Sequence, residues 1–89
     1  MVEPDTTPVL VPIDARMKVI HPLLSTGPST PVRIIQCSYS QMSVRVPGGV
    51  LLGAMVHLRT SSRILVGEVR YSEPVDSEYE IHVRVDQIL

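Results

Sequence analysis

The sequence predicts an all-β protein, a six-stranded antiparallel barrel with little or no helix. Three observations support this fold class. The 89 residues include fourteen Val and eight Pro, a composition that suits strands and disfavours helices. Six short segments alternate apolar and polar residues, and turn residues separate them at intervals of about 10 to 15 residues. No segment has the apolar period of about 3.6 residues that marks a helix. Closing such a sheet into a barrel would remove its exposed edges.

The chain is predicted to divide into an extended or flexible N-terminal segment, residues 1–14, and a barrel domain, residues 15–89. Prolines recur every four residues in the first segment, at Pro4, Pro8 and Pro12. Repeated proline excludes a helix and weakens any central strand. The apolar residues Val9–Ile13 are therefore expected to lie extended, either covering the core or contacting a partner.

Three strands are predicted in the first half of the barrel domain, over Ala15–Ile20, Val32–Tyr39 and Gln41–Val46. The third of these alternates apolar residues on one face with polar residues on the other. Residues 21–31 are rich in Pro, Ser and Thr, which is typical of a loop. Residues 47–49, Pro-Gly-Gly, end the third strand.

Three further strands are predicted over Ala54–Arg59, Arg63–Tyr71 and Glu78–Asp86, and the last alternates most regularly. Gly67 interrupts the middle strand of the three, which indicates a bulge or a close approach of another backbone. Ser72–Ser77 contains Pro and Asp and is predicted to be the turn before the last strand.

Composition excludes several classes of protein. Cys37 is the one cysteine, so neither an intramolecular disulfide nor a cysteine metal cluster is expected, and a lone thiol fits a reducing compartment. No apolar run approaches the length of about 18 residues that a helical membrane span needs. The first residues are acidic and contain proline, unlike a secretory signal. We therefore expect a cytoplasmic protein that does not insert into a membrane.

The charged and aromatic residues argue against a nucleic-acid partner. The formal net charge is −1, and the chain has three Tyr but neither Phe nor Trp. Barrels that bind single strands use a basic groove and aromatic platforms for the bases. The seven Arg and one Lys remain open to two interpretations, cross-strand ion pairs or contact with phosphate, which Arg binds in bidentate fashion.

The sequence offers little for catalysis or metal binding. The candidate parts of a catalytic site are Cys37, Ser38, His57 and His82, and none lies in a recognisable nucleophile motif. Both histidines occupy outward positions of alternating strands, which favours solvated surface side chains. Metal-ligand spacings such as His-Glu-x-x-His are absent from the sequence. The protein is therefore predicted not to be an enzyme, with no catalytic residue, no metal and no cofactor.

Three stretches of the sequence resemble the PilZ domain, a family of bacterial cyclic di-GMP receptors. Ile35–Val44 lies where the family has its Asp/Asn-x-Ser-x-x-Gly motif, with Ser38 at the serine. Val50–Leu58 resembles the passage that leads into the fourth strand. Ile64–Tyr71 resembles a strand that ends in Gly-x-Val-Arg-Tyr. The resemblance covers about residues 15 to 87, and it implies a six-stranded antiparallel barrel.

The resemblance also implies where cyclic di-GMP would bind. Ser38 matches the motif, whereas Gln36 replaces its acid or amide and Gln41 replaces its glycine. The family's Arg-x-x-x-Arg pair before the barrel has no match, and only Arg16 and Lys18 stand in that part of the chain. These five residues form the candidate ligand site.

A side chain at the glycine position and the missing arginine pair imply that cyclic di-GMP binding is weak or lost. The same spacing in Arg59-Thr-Ser-Ser-Arg63 lies after the motif and is interpreted as coincidence. The predicted function is a divergent PilZ-like signalling module that acts through protein–protein contacts. Its candidate contact segments are Val50–Leu52 and Val9–Ile13. The alternative is a genuine cyclic di-GMP receptor with a degenerate site around Ser38.

Overall fold

The computed structural model describes residues 12–21, 29–38, 40–50 and 52–89, and these form six β-strands and no helix. This confirms the predicted all-β class and the number of strands. The strands are β1 Ile13–His21, β2 Thr30–Cys37, β3 Gln41–Val46, β4 Met55–Arg59, β5 Ile64–Val75 and β6 Glu78–Ile88.

The six strands close into an antiparallel barrel in the order β1-β2-β3-β6-β5-β4, with β4 returning to β1. Four of the six pairs join consecutive strands, and two, β3 with β6 and β1 with β4, join strands that are far apart in sequence. Closure gives each strand a hydrogen-bonded neighbour on both sides, so the barrel lacks the two edge strands of an open sheet.

The core of the barrel consists of the inward-facing apolar residues of all six strands. Alternation places every second side chain inside, so Val44 and Val46 are buried on β3 while Arg45 between them points outward. The residues with no more than about 1% exposure are Ile34, Val44, Val46, Val56, Leu58, Val69, Ile81 and Val83. Most of them are Val or Ile, whose branched side chains fill a small barrel without aromatic rings.

Gly67 combines the two features that the sequence predicted for it. The β5–β6 register shifts between Val66 and Gly67, which marks a bulge. A Cβ atom at Gly67 would also lie 2.6 Å from Cγ1 of Val83 and would meet the carbonyl oxygen of Arg84. Glycine is therefore required here by the close approach of β6.

The prediction that Ser72–Ser77 forms a turn is wrong, because β5 continues to Val75 and the turn is confined to Asp76 and Ser77. The β5–β6 hairpin extends beyond β4, whose last partner on β5 is Glu68. Pro74 thus lies on a part of β5 that, among the described residues, pairs with β6 alone, and a missing N–H is tolerated on the unpaired side. Asp76 takes the left-handed conformation (φ 56°) of the tight turn.

Four other strand ends differ from the prediction by two residues. β1 begins at Ile13 rather than at Ala15, and β2 runs from Thr30 to Cys37 rather than from Val32 to Tyr39. β6 ends at Ile88 rather than at Asp86. Tyr39 itself and residues 1–11 of the predicted N-terminal segment lie outside the described residues. Strand ends depend on pairing with a neighbour, which the alternation of one strand does not specify.

Candidate functional site

The turn between β2 and β3 contains the residues that the PilZ resemblance singles out. The Ser38 amide donates to the carbonyl oxygen of Gln41 at 2.8 Å. The Ser38 hydroxyl donates to that carbonyl at 3.2 Å and accepts from the Gln41 amide at 3.3 Å. Gln36 precedes the turn and is exposed, opposite Ser43. The structure therefore places Gln36, Ser38 and Gln41 together, but the serine hydroxyl is used within its own turn.

A cleft of about 330 Å³ adjoins this turn and is lined by Gln41, Arg70, His82, Val83 and Arg84. Gln41 lies directly opposite Arg84 in the β3–β6 ladder. Sequence reasoning missed both arginines as neighbours of the turn. The register of β3 against β6 brings Arg84 there, and the alternation within each strand carries no signal for that register.

The two guanidinium groups in this cleft already have carboxylate partners. Arg84 lies 2.9 Å from Glu68 through Nη2 and 3.0 Å from Asp86 through Nε. Arg70 lies 3.6 Å from the same oxygen of Glu68. The hydrogen bond to Asp86 and that carboxylate's charge raise the pKa of Arg84. Each cation therefore has a carboxylate of the protein within 3.6 Å, and the two share Glu68.

Arg16 and Lys18, the other two predicted ligand residues, lie in a different part of the barrel. Arg16 is opposite Pro31 in the β1–β2 ladder. Ser38 is seven residues further along the chain from Pro31, which corresponds to about 20 Å along an extended strand. The structure therefore does not bring Arg16 and Lys18 to the Ser38 turn, because their side chains are far shorter than this separation.

Arg16 and Lys18 instead line a second cleft, of about 220 Å³, together with Ser29, His57 and Arg59. Arg16 lies opposite Arg59 in the β1–β4 ladder, and Lys18 lies opposite His57. The guanidinium of Arg16 donates to the Ser29 hydroxyl at 2.9 Å and to the Ser29 carbonyl at 3.0 Å. We call this cleft the basic cleft, after the four basic side chains that line it, Arg16, Lys18, His57 and Arg59.

Among the described residues, one group has positions that could hold a metal ion, namely Glu73, Glu80 and His82. One potential ligand atom from each lies within 4.8 Å of the other two. Nε2 of His82 is 3.6 Å from Glu80, and it finds no hydrogen-bond partner among the described residues. The second carboxylate oxygen of Glu80 accepts from Arg45 at 3.3 Å. His57 cannot join this group, because β5 separates β4 from β6.

The candidate nucleophiles have no activating partner in the described part of the chain. Cys37 is half-buried, and burial raises the pKa of its thiol. Its S–H donates to the Ser38 carbonyl at 3.6 Å. No hydrogen bond among the described residues joins an imidazole to Cys37 or to the Ser38 hydroxyl. A thiol with a raised pKa is a weaker nucleophile at neutral pH than a free cysteine, since less of it is thiolate.

The two apolar segments predicted to contact a partner divide between core and surface. Val50 and Ile13 pack against the core. Leu52 is 65% exposed at the barrel surface. Leu51 and residues 9–11 lie outside the described residues. Of the described parts of these segments, Leu52 is the strongly exposed apolar side chain.

No family model and no curated protein matches the chain. No helix long and apolar enough to cross a bilayer occurs in residues 12–21, 29–38, 40–50 or 52–89. The PilZ resemblance accordingly depends on the strand pattern and the motifs quoted above.

Proposed function

We propose that the protein is a non-enzymatic, PilZ-like signalling module of the cytoplasm that acts through contacts with a protein partner and binds cyclic di-GMP weakly or not at all. One observation carries this proposal. Beside the Ser38 turn, Arg84 is hydrogen-bonded to Glu68 and Asp86, and Arg70 is ion-paired with Glu68, so a phosphate there would have to compete with carboxylates of the protein.

The separation of the predicted ligand residues supports the same conclusion. Receptors of the resembled family grip the nucleotide with two arginines beside the serine motif. Here Arg16 and Lys18 belong to the basic cleft, about 20 Å along β2 from Ser38. Charge-assisted bidentate contacts to phosphate supply much of the strength of such sites. Without them, the predicted ligand residues that the structure places at the turn are Gln36, Gln41 and Ser38, whose hydroxyl is already bonded.

The loop before β4 is the surface that we expect to contact the partner. A single exposed apolar residue is common on any protein, but Leu52 is held in place by its neighbour. Gly53, in the left-handed conformation at φ 84°, donates its N–H to Val69 at 2.7 Å. The Val69 N–H in turn donates to Ala54 at 2.9 Å. An anchor that is already ordered loses less entropy on binding than a mobile one.

Calorimetric titration with cyclic di-GMP tests the nucleotide half of the proposal. At about 100 µM nucleotide, we expect no saturable heat and no rise in the melting temperature. Saturable binding that Ser38→Ala weakens would contradict the proposal and support the alternative, a receptor with a degenerate site around Ser38.

A partner-binding experiment tests the protein half. Proteins retained by the immobilised full chain are identified, purified and titrated singly against it. We expect Leu52→Asp to weaken the complex strongly and Leu89→Asp, at a residue of similar exposure (62%), to leave it unchanged. Equal affinity of both variants, or no binary complex with any purified candidate, would contradict the proposed surface.

A further inference from the structure

The basic cleft places four basic side chains on one outward face of the barrel. Arg16 and Lys18 alternate outward on β1, and His57 and Arg59 do so on β4. The β1–β4 register sets them in two directly opposed pairs, Arg16 with Arg59 and Lys18 with His57. The cleft between them measures about 220 Å³.

The opposed arginines Arg16 and Arg59 lack the carboxylate partners that Arg45, Arg70 and Arg84 have. Like charges directly opposite one another destabilise a β-ladder. Arg45 is matched by Glu78 and Glu80, and Arg84 by Glu68 and Asp86. No carboxylate of the described residues forms an ion pair with Arg16, Lys18 or Arg59. Asp14, the acidic residue nearest along β1, lies opposite Arg33 and is not an ion-pair partner of Arg16 or Arg59. It lines an adjoining groove that these two arginines share, but it does not line this cleft.

The geometry of the cleft favours a small anion with several oxygens. Opposed residues have Cβ atoms about 5 Å apart, and alternate residues of one strand lie about 6.6 Å apart. The charges therefore surround a spot that fits one or two phosphoryl groups. An extended acidic peptide would need a longer basic stripe, whereas Pro31 flanks Arg16 on the other side.

The fixed orientation of Arg16 adds to this preference. Its Nε and Nη2 atoms donate to Ser29, which holds the guanidinium plane without using Nη1. Guanidinium groups of defined orientation match the oxygen pairs of phosphate, whereas an ammonium acts as a point charge.

We propose that the basic cleft binds a phosphate or pyrophosphate group, with Arg16 and Arg59 contacting its oxygens, Lys18 adding positive charge and the His57 imidazole adding a hydrogen-bond donor. This site is independent of the proposed protein-contact function and lies apart from the Ser38 turn.

Titration of the full chain with inorganic pyrophosphate at low ionic strength tests the site, by calorimetry and by thermal unfolding. We expect saturable binding and a rise in melting temperature with pyrophosphate concentration. Arg59→Gln should weaken binding by about tenfold or more, which corresponds to the loss of one hydrogen bond to a charged group. Arg63→Gln removes the same charge from the same turn, outside the residues that line the cleft, and should retain the wild-type affinity.

The same variants provide a second readout without any ligand. Because Arg59 opposes Arg16, Arg59→Gln should raise the melting temperature of the free protein at low salt, while Arg63→Gln should not. Lys18→Gln repeats the binding test at an exposed position if Arg59→Gln does not fold. Absence of saturable pyrophosphate binding, or equal weakening by Arg59→Gln and Arg63→Gln, would overturn the proposal.

Two further ligands distinguish the source of the phosphate. We expect a nucleoside triphosphate to bind with at least the affinity of pyrophosphate, and the nucleoside alone not to bind. A nucleoside triphosphate that binds where pyrophosphate does not would show that a base is the recognised group and would overturn the proposal.

Discussion

The guanidinium of Arg84 lies 2.9 Å from the carboxylate of Glu68, the residue directly opposite it in the β5–β6 ladder. Asp86, two residues along the same strand, holds the other side of that guanidinium at 3.0 Å. A phosphate ligand at the Ser38 turn would have to compete with these two carboxylates for Arg84. We therefore expect weak or no binding of cyclic di-GMP, although the strand pattern resembles that of the PilZ family.

Removing both carboxylates should release Arg84. We expect the double variant Glu68→Gln, Asp86→Asn to bind cyclic di-GMP measurably, because the guanidinium is then free to contact phosphate. Titration calorimetry compares this variant with wild type. Adding Arg84→Gln should abolish the gain. If the double variant binds no more nucleotide than wild type, then Glu68 and Asp86 are not the groups that prevent Arg84 from binding phosphate.

Gly67→Ala should destabilise the barrel by about 1–3 kcal/mol, the range for an atom forced into a packed interior. The added Cβ would lie 2.6 Å from Cγ1 of Val83 and 3.1 Å from the carbonyl carbon of Arg84. Urea denaturation measures the effect. Gly48→Ala is the matched control, since nothing lies within 4 Å of its Cβ position. Similar denaturation midpoints for both variants would show that β6 does not approach Gly67 this closely.

Ser38→Ala should lower the free energy of unfolding by about 0.5–1.5 kcal/mol, the usual contribution of a hydrogen bond. The hydroxyl closes the β2–β3 turn by bonding the Gln41 backbone in both directions. Ser40→Ala is the control, because Ser40 contributes its backbone carbonyl, which accepts from Val85 at 2.9 Å. Unchanged stability of Ser38→Ala would show that the hydroxyl is not engaged in the turn and is available to a ligand.

Cys37 should make the stability of the protein fall at alkaline pH. Burial raises the pKa of its thiol in the folded state, so below the pKa of the unfolded chain, about 8.5, its contribution is fully present. As pH rises from there through the folded pKa, the unfolded state ionises first and the contribution is lost. The stability difference between wild type and Cys37→Ala should therefore shrink above about pH 8.5. A difference that stays constant up to about pH 10 would contradict this burial effect.

The sequence was sufficient to predict the all-β barrel, because alternation within a strand determines which side chains face the core. Val44 and Val83 are buried as their alternation required, and Gly67 has both predicted features. Local patterns did not predict how far β5 extends. β5 continues past Glu68, which pairs with the first residue of β4, and residues 72–75 are held by pairing with β6. That pairing is a property of the sheet rather than of the local sequence of residues 72–77.

The candidate sites were harder to predict because they depend on pairing between strands distant in sequence. Arg84 reaches Gln41 through the β3–β6 ladder, and Arg59 reaches Arg16 through the β1–β4 ladder. Of the two arginines in the spacing Arg59-x-x-x-Arg63, Arg59 lines the basic cleft and Arg63 does not. Arg59 lies in the cleft because the β1–β4 register sets it opposite Arg16, and a spacing within one strand and turn does not predict that register.

The central claim is that the Ser38 turn binds cyclic di-GMP weakly or not at all. Residue-resolved NMR titration of the ¹⁵N-labelled chain with cyclic di-GMP tests this claim most directly. We predict no saturable shift of the amide signals of Ser38 and Gln41 at nucleotide concentrations up to about 100 µM. Saturable shifts centred on Ser38, Gln41 and Arg84 would contradict the claim and identify the protein as a cyclic di-GMP receptor.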